Sequence, residues 1–167
     1  MRYLSLFSGV GGFELGISNA MEQWGRGQEK GNVATTGTDT VGEPDQRQPA
    51  TCVGYSEIDK YAIQTYEKNW RGHINYGDAT KINERELPDF DLLVGGFPCQ
   101  AFSIAGRRRG FEDTRGTMFF ELARILRAKQ PRLFVFENVK GLLSHDNGKT
   151  FRTIIITKAS QQTQRYL

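Results

Sequence analysis

Five groups of residues in this chain are of types that can do chemistry. Phe97-Pro98-Cys99-Gln100 puts a thiol in a proline turn just after an apolar run, where a thiolate can be exposed. Arg107-Arg108-Arg109, with Arg115 nearby, follows in a glycine-flanked loop. Such guanidiniums favour a nearby thiolate and match phosphate oxygens, although most charge runs are solvated faces. Glu137 terminates a second apolar run, Leu133 to Phe136, which is a poor place for a solvated acid. A thiol and a buried-edge carboxyl point to nucleophilic attack with proton donation to the substrate. Gly9, Gly11 and Gly12 stand at the mouth of a helix, where a backbone without Cβ atoms can approach a ligand closely. Glu57 ends the next strand and, with an intervening insertion removed, stands near the spacing of about 20 residues at which such acids hold a ribose.

These groups need a scaffold that brings distant residues to one edge. Tyr3 to Phe7 is an apolar run that stops at Ser8-Gly9-Val10-Gly11-Gly12, and Phe13 to Met21 reads as helix. Residues 22–50 break the pattern with Gly, Gln, Thr and Pro and carry a net negative charge, so they read as a surface insertion between 1–21 and 51–167. Cys52 to Glu57 is a second strand, with Cys52 inside it as a structural thiol. Asp59 is expected to cap a helix to Trp70. His73 to Tyr76 is a weak third strand, Asp91 to Gly96 a buried fourth and Leu133 to Phe136 a fifth. Thr117 to Lys129 is the clearest helix, with Met118, Phe119, Leu122, Ile125 and Leu126 on one face and Pro131 closing it. Strands and helices alternate, which predicts an α/β fold around a mostly parallel sheet with both faces covered. Ligands bind such sheets at the carboxyl ends of the strands, where Cys99 and Glu137 would converge.

Composition narrows the classes further. The chain has 167 residues, 38% of them hydrophobic, and a net charge of +3, which suits one globular domain and permits an anionic partner. Two cysteines and two distant histidines supply neither a disulfide framework nor a metal site. No apolar run reaches the roughly 18 residues of a membrane span, so a cytoplasmic setting is the default expectation. Glu14 stands where a dinucleotide fingerprint wants its third glycine, and an acid at a helix start repels a pyrophosphate. That disfavours a nicotinamide or flavin oxidoreductase, as does the lack of a cysteine partner near Cys99.

The ordered segments Phe7-Ser8-Gly9-Val10-Gly11-Gly12, Glu57-Ile58, Gly77-Asp78, Gly96-Phe97-Pro98-Cys99-Gln100 with Ser103, Arg115-Gly116-Thr117-Met118-Phe119-Phe120 and Glu137-Asn138-Val139 resemble the motifs of DNA cytosine-5 methyltransferases. The resemblance covers residues 1 to about 150 apart from the insertion. It implies a Rossmann-like fold and S-adenosyl-L-methionine as cofactor. It implies that Phe7, Gly9, Val10, Gly11 and Gly12 line the cofactor's methionine and adenine and that Glu57 holds its ribose. Ile58 would pack on the adenine, and Asp78 would meet the adenine amino group. Ala79, Pro98 and Met118 would complete that wall. Catalysis would fall to Cys99 and Glu137, with Pro98 and Asn138 supporting them. Gln100, Ser103, Arg107, Arg108 and Arg109 would touch double-stranded DNA. The family continues past Glu137-Asn138-Val139 with a target-recognition region and a returning segment, and Ile154 to Leu167 does not resemble it. The expectation is a C-terminally truncated product, or one half of a split enzyme that needs a complementary C-terminal chain, with the strand at 133–136 left unpaired at an apolar edge. An inactive remnant that only binds cofactor is the competing expectation.

Overall fold

The structure, a computed structural model, describes residues 1–29, 50–98 and 118–155. Strand β1 (Arg2–Leu6) alternates its side chains between two apolar surfaces, as period-2 geometry requires. Leu4 and Leu6 enter the larger core and Tyr3 the smaller. Helix α1 (Gly12–Glu29) follows, then β2 (Thr51–Ser56) and α2 (Lys60–Asn69). Strand β3 (Leu92–Gly96), helix α3 (Met118–Lys129), strand β4 (Leu133–Glu137) and the short α4 (Gly141–Ser144) complete the order, with a further helical turn at 149–155. The sheet order is β2-β1-β3-β4 and all pairings are parallel.

Two helix layers cover the sheet unequally. Phe119, Leu122, Ile125 and Leu126 of α3 bury against Leu4, Leu6 and Leu93, and Leu142 and Ile154 extend the same core. Each fully buried side chain of this size contributes about 1.5–3 kcal/mol. On the other face, Phe13 and Ile17 of α1 pack on Tyr3, Leu92 and Val94. Leu133 and Val135 share that face, being in register with Leu92 and Val135's neighbour Val94. They are nonetheless 57% and 52% exposed. Among the described residues β4 pairs only with β3, so it is the apolar edge that the sequence predicts.

Asp59 caps α2 by accepting the N–H groups of Tyr61 and Ala62, and Trp70 ends the helix, both as expected. Two expectations change. Helix α1 does not stop at Met21 but runs to Glu29, so residues 22–29 are helical and the rest of the expected insertion lies outside the described residues. A glycine inside a helix costs only about 1 kcal/mol, so Gly25 and Gly27 interrupt the pattern without breaking the helix. The expected third strand at 73–76 is a single bridge between Tyr55 and Asn75, which leaves four strands among the described residues and not five. Its two hydrogen bonds, Tyr55 N–H to Ile74 and Tyr76 N–H to Tyr55, are bounded by left-handed turns at Gly72 and Gly77.

Candidate functional site

Strand β1 has β2 on one side and β3 on the other, so the strand order reverses between β1 and β3. In such a sheet the crevice for a ligand lies at the carboxyl ends of these two strands. The β1 loop is left-handed at Phe7 (φ +55°), Gly9 (+56°) and Gly11 (+93°). For a side chain as bulky as Phe7 that conformation costs about 1–3 kcal/mol and persists only where its surroundings impose it. Gly9 N–H donates to Glu57 Oε2 at 2.9 Å, and Ser8 N–H donates to the Ser56 carbonyl at 3.2 Å. Glu57 Oε1 accepts the N–H groups of Ile58 at 2.8 Å and Asp59 at 2.9 Å. A carboxylate has about four lone-pair sites, so the chain's own backbone occupies all but one. Glu57 is therefore a strut between the β1 turn and the start of α2, with one acceptor position left over.

The glycines divide by role. The space a Cβ would take is open at Gly9 and Gly12, whereas at Gly11 the Trp70 indole stands there, with Cδ1 at 2.7 Å. Gly11 thus makes room for the protein itself. Val10 and Ile58 are both strongly exposed beside the turn. Ser8 Oγ is buried and has no hydrogen-bond partner among the described residues. Glu14 does not face a ligand at the helix mouth, as its position in the sequence implied. It is buried, and its Oε1 accepts the Tyr66 hydroxyl at 2.9 Å.

Residues 75–78 are drawn to the end of β2. Asn75 accepts Glu57 N–H at 3.3 Å, donates to the Glu57 carbonyl at 3.2 Å and accepts Gly77 N–H at 2.8 Å. Ser56 Oγ donates to the Gly77 carbonyl at 2.6 Å. Asp78 then caps a short 3₁₀ turn, and hydrogen bonds from the Thr80 hydroxyl and N–H hold its carboxyl below the usual range. Ala79 does not expose its methyl to the crevice. It is buried in the larger core, and its carbonyl accepts Arg124 at 3.0 Å. Met118 is half-buried against that core.

On the other side of the crevice Gly96 and Glu137 are register partners. A Cβ on Gly96 would stand 3.1 Å from Glu137 Oε2 and 3.9 Å from the Phe13 ring, so the acid of β4 and the first turn of α1 meet across a glycine. Asn138 Nδ2 donates to the Phe97 carbonyl at 2.9 Å and its Oδ1 accepts Val139 N–H at 3.0 Å. Asn138 therefore sets the backbone just before the half-buried Pro98. Glu137 is exposed, against the burial its position after an apolar run implied. The reason is that β4 is an edge strand whose α1-side face is bare. Cys99, Gln100, Ser103, Arg107, Arg108 and Arg109 lie outside the described residues. Cys52 is half-buried in β2 beside the Gly54 carbonyl, and burial pushes its thiol up. Sequence reasoning missed Ser56, Tyr66 and Asn75, because a lone Ser, Tyr or Asn carries no spacing signal. Among the described residues no group of three or more His, Cys, Asp or Glu could hold a metal, and no helix is long and apolar enough to cross a membrane.

The chain was compared with known proteins. It is 46% identical over 156 residues to the orphan methyltransferase M.SPRI of Bacillus phage SPR, covering 92% of this chain and 30% of that protein. It is 46% identical to the type II methyltransferase M1.ScrFI of Lactococcus lactis subsp. cremoris (93% and 33% covered) and 44% identical to M.HhaI of Haemophilus parahaemolyticus (92% and 38%). The chain thus spans about a third of the length of these relatives. The crystal structure of S. pombe Dnmt2 methyltransferase matches 93% of this chain with a TM-score of 0.57 at 20% identity, which shows the shared α/β fold. The family model for C-5 cytosine-specific DNA methylases matches residues 1–161, and the chain belongs to that family.

Proposed function

We propose that this chain is the cofactor-binding and nucleophile-bearing segment of a DNA cytosine-5 methyltransferase of restriction-modification or phage type. The observation that carries the reading is the approach of the Glu137 carboxylate to the first turn of α1 across Gly96, with Asn138 holding the backbone that leads to Cys99.

The crevice fits S-adenosyl-L-methionine in its donor set. Gly9 and Gly12 leave open space, the buried Ser8 Oγ lacks a partner among the described residues, Val10 and Ile58 expose apolar faces for an adenine, and Glu57 and Asp78 are acceptors. When bound, the cofactor supplies an electrophilic methyl group. Glu57 receives a ribose hydroxyl, Asp78 the adenine amino group, and Phe7, Gly11, Pro98 and Met118 complete the wall. The Cys99 thiolate adds to C6 of a cytosine extruded from double-stranded DNA, which makes C5 a nucleophile. Glu137 donates a hydrogen bond or proton at N3 of that base. Once methylated, C5 gives up its proton to solvent, the C5–H electron pair restores the C5–C6 double bond, and the C6–S bond breaks to return the thiolate. Gln100, Ser103 and the three arginines contact the DNA backbone.

The exposure of Glu137 and the bare face of β4 favour a second reading, in which the chain binds cofactor but turns over only with a complementary C-terminal chain that carries target recognition. Calorimetric titration with S-adenosyl-L-methionine tests the cofactor class, and saturable binding is expected. With the complementary chain present, native protein should form a covalent band on 5-fluorocytosine DNA and Cys99→Ser should not. A shifted band with Cys99→Ser would remove the nucleophile assignment.

A further inference from the structure

We propose that Tyr66, held by Glu14, is a positioning residue that fixes the glycine turn against Glu57 from behind the crevice. The proposal rests on the cofactor reading above and deepens it.

Tyr66 is fully buried in α2 and touches the elements that bear the glycine turn and Glu57. Its hydroxyl donates to Oε1 of Glu14, which lies two residues after Gly12 in the first turn of α1. Its ring stacks on Tyr55, two residues before Glu57, with centroids 3.8 Å apart and planes 19° apart. Its carbonyl accepts Trp70 N–H at 2.8 Å, and the Trp70 indole occupies the space left by Gly11. The Tyr66 side chain thus links α1 to β2, and its main-chain carbonyl holds the residue wedged behind the turn.

The hydrogen bonds have a direction. A tyrosine has one hydroxyl proton, and here it goes to Glu14. The 3.0 Å contact between the Tyr66 hydroxyl and His73 Nδ1 therefore makes His73 the donor, with its proton on Nδ1. Burial lowers the affinity of His73 for a second proton, which keeps that ring neutral. Trp70 stacks on His73 with planes 11° apart, closing the cluster. The other Glu14 oxygen, Oε2, is buried without a partner among the described residues. The Tyr66 hydroxyl is accordingly the one side-chain donor shown for this carboxyl, and its loss obliges the first turn of α1 to shift or admit water.

Tyr66→Phe removes the hydroxyl and keeps the stack. Glu14→Gln keeps an acceptor for it. Ile125→Val, in α3 on the opposite face, serves as a core variant with a comparable loss in Tm. S-adenosyl-L-methionine is titrated into each variant of the chain by calorimetry, and amide exchange at Gly9, Gly11 and Gly12 is followed without cofactor. Tyr66→Phe should weaken binding about tenfold, with Glu14→Gln inside about threefold and Ile125→Val unchanged, and only Tyr66→Phe should speed exchange in the turn. Equal losses of affinity in Tyr66→Phe and Ile125→Val would overturn the proposal, since Tyr66 would then be ordinary core. If the native chain bound no cofactor, the functional reading would fail and exchange would decide the positioning claim. Faster exchange in Tyr66→Phe upholds it and unchanged exchange overturns it.

Discussion

The β1–β2 side of the crevice is knitted together by the chain's own polar groups. Glu57 takes three backbone N–H groups, Asn75 and Ser56 tie residues 75–77 to the end of β2, and Tyr66 joins α1 to α2. On the β3–β4 side Asn138 donates to the Phe97 carbonyl between the two strand ends, and the acid beside it is exposed. The same contrast appears in the packing. Leu92 and Val94 are buried under α1, while their register partners Leu133 and Val135 are bare. The β1–β2 side is thus braced by its own polar groups, and the β3–β4 side depends on further cover. A buried acid needs atoms around it, and an edge strand supplies them on one face only.

Leu92→Ala and Leu133→Ala test the contrast most directly. Leu92→Ala should destabilise by about 2–5 kcal/mol and Leu133→Ala by about 0.5, read from denaturant melts. Equal costs would mean that the β4 face is covered in solution. Glu57→Ala should weaken S-adenosyl-L-methionine binding about 100-fold, because it removes the proposed ribose acceptor and leaves three backbone donors unpaired. A loss below about fivefold would show that Glu57 does not brace the turn.

Gly96→Ala should separate the two walls. The new methyl stands 3.1 Å from Glu137 Oε2 and must displace it. Methyl transfer with the complementary chain present should fall about tenfold while cofactor affinity holds, because general-acid help depends on placement. Equal falls in both would place Glu137 outside the chemistry.

The smallest effect is one of pH. Burial holds His73 below its ordinary value of 6.5, so the unfolded chain binds more protons than the native one in mild acid. The associated stability is complete above pH 6.5 and is lost as pH falls through the lower native value. Tm should start to drop just below that pH in the native chain and stay flatter there in His73→Asn.

Much of the molecule could be read from its residues alone. Asp59, the periodicity of 118–126 and the apolar runs at 3–7 and 91–96 identified their elements because each is local, a cap or a repeat that a short window contains. Residue types at the strand ends singled out Cys99, Glu137, Glu57 and the glycine turn as candidates. Tertiary structure decided what no window could contain. Glu14 turned inward to Tyr66, Gly11 made way for Trp70, and Asn75 became the tie on Glu57. It also left Glu137 exposed at a sheet edge, because burial depends on which elements lie on each face, and partners distant in sequence set that.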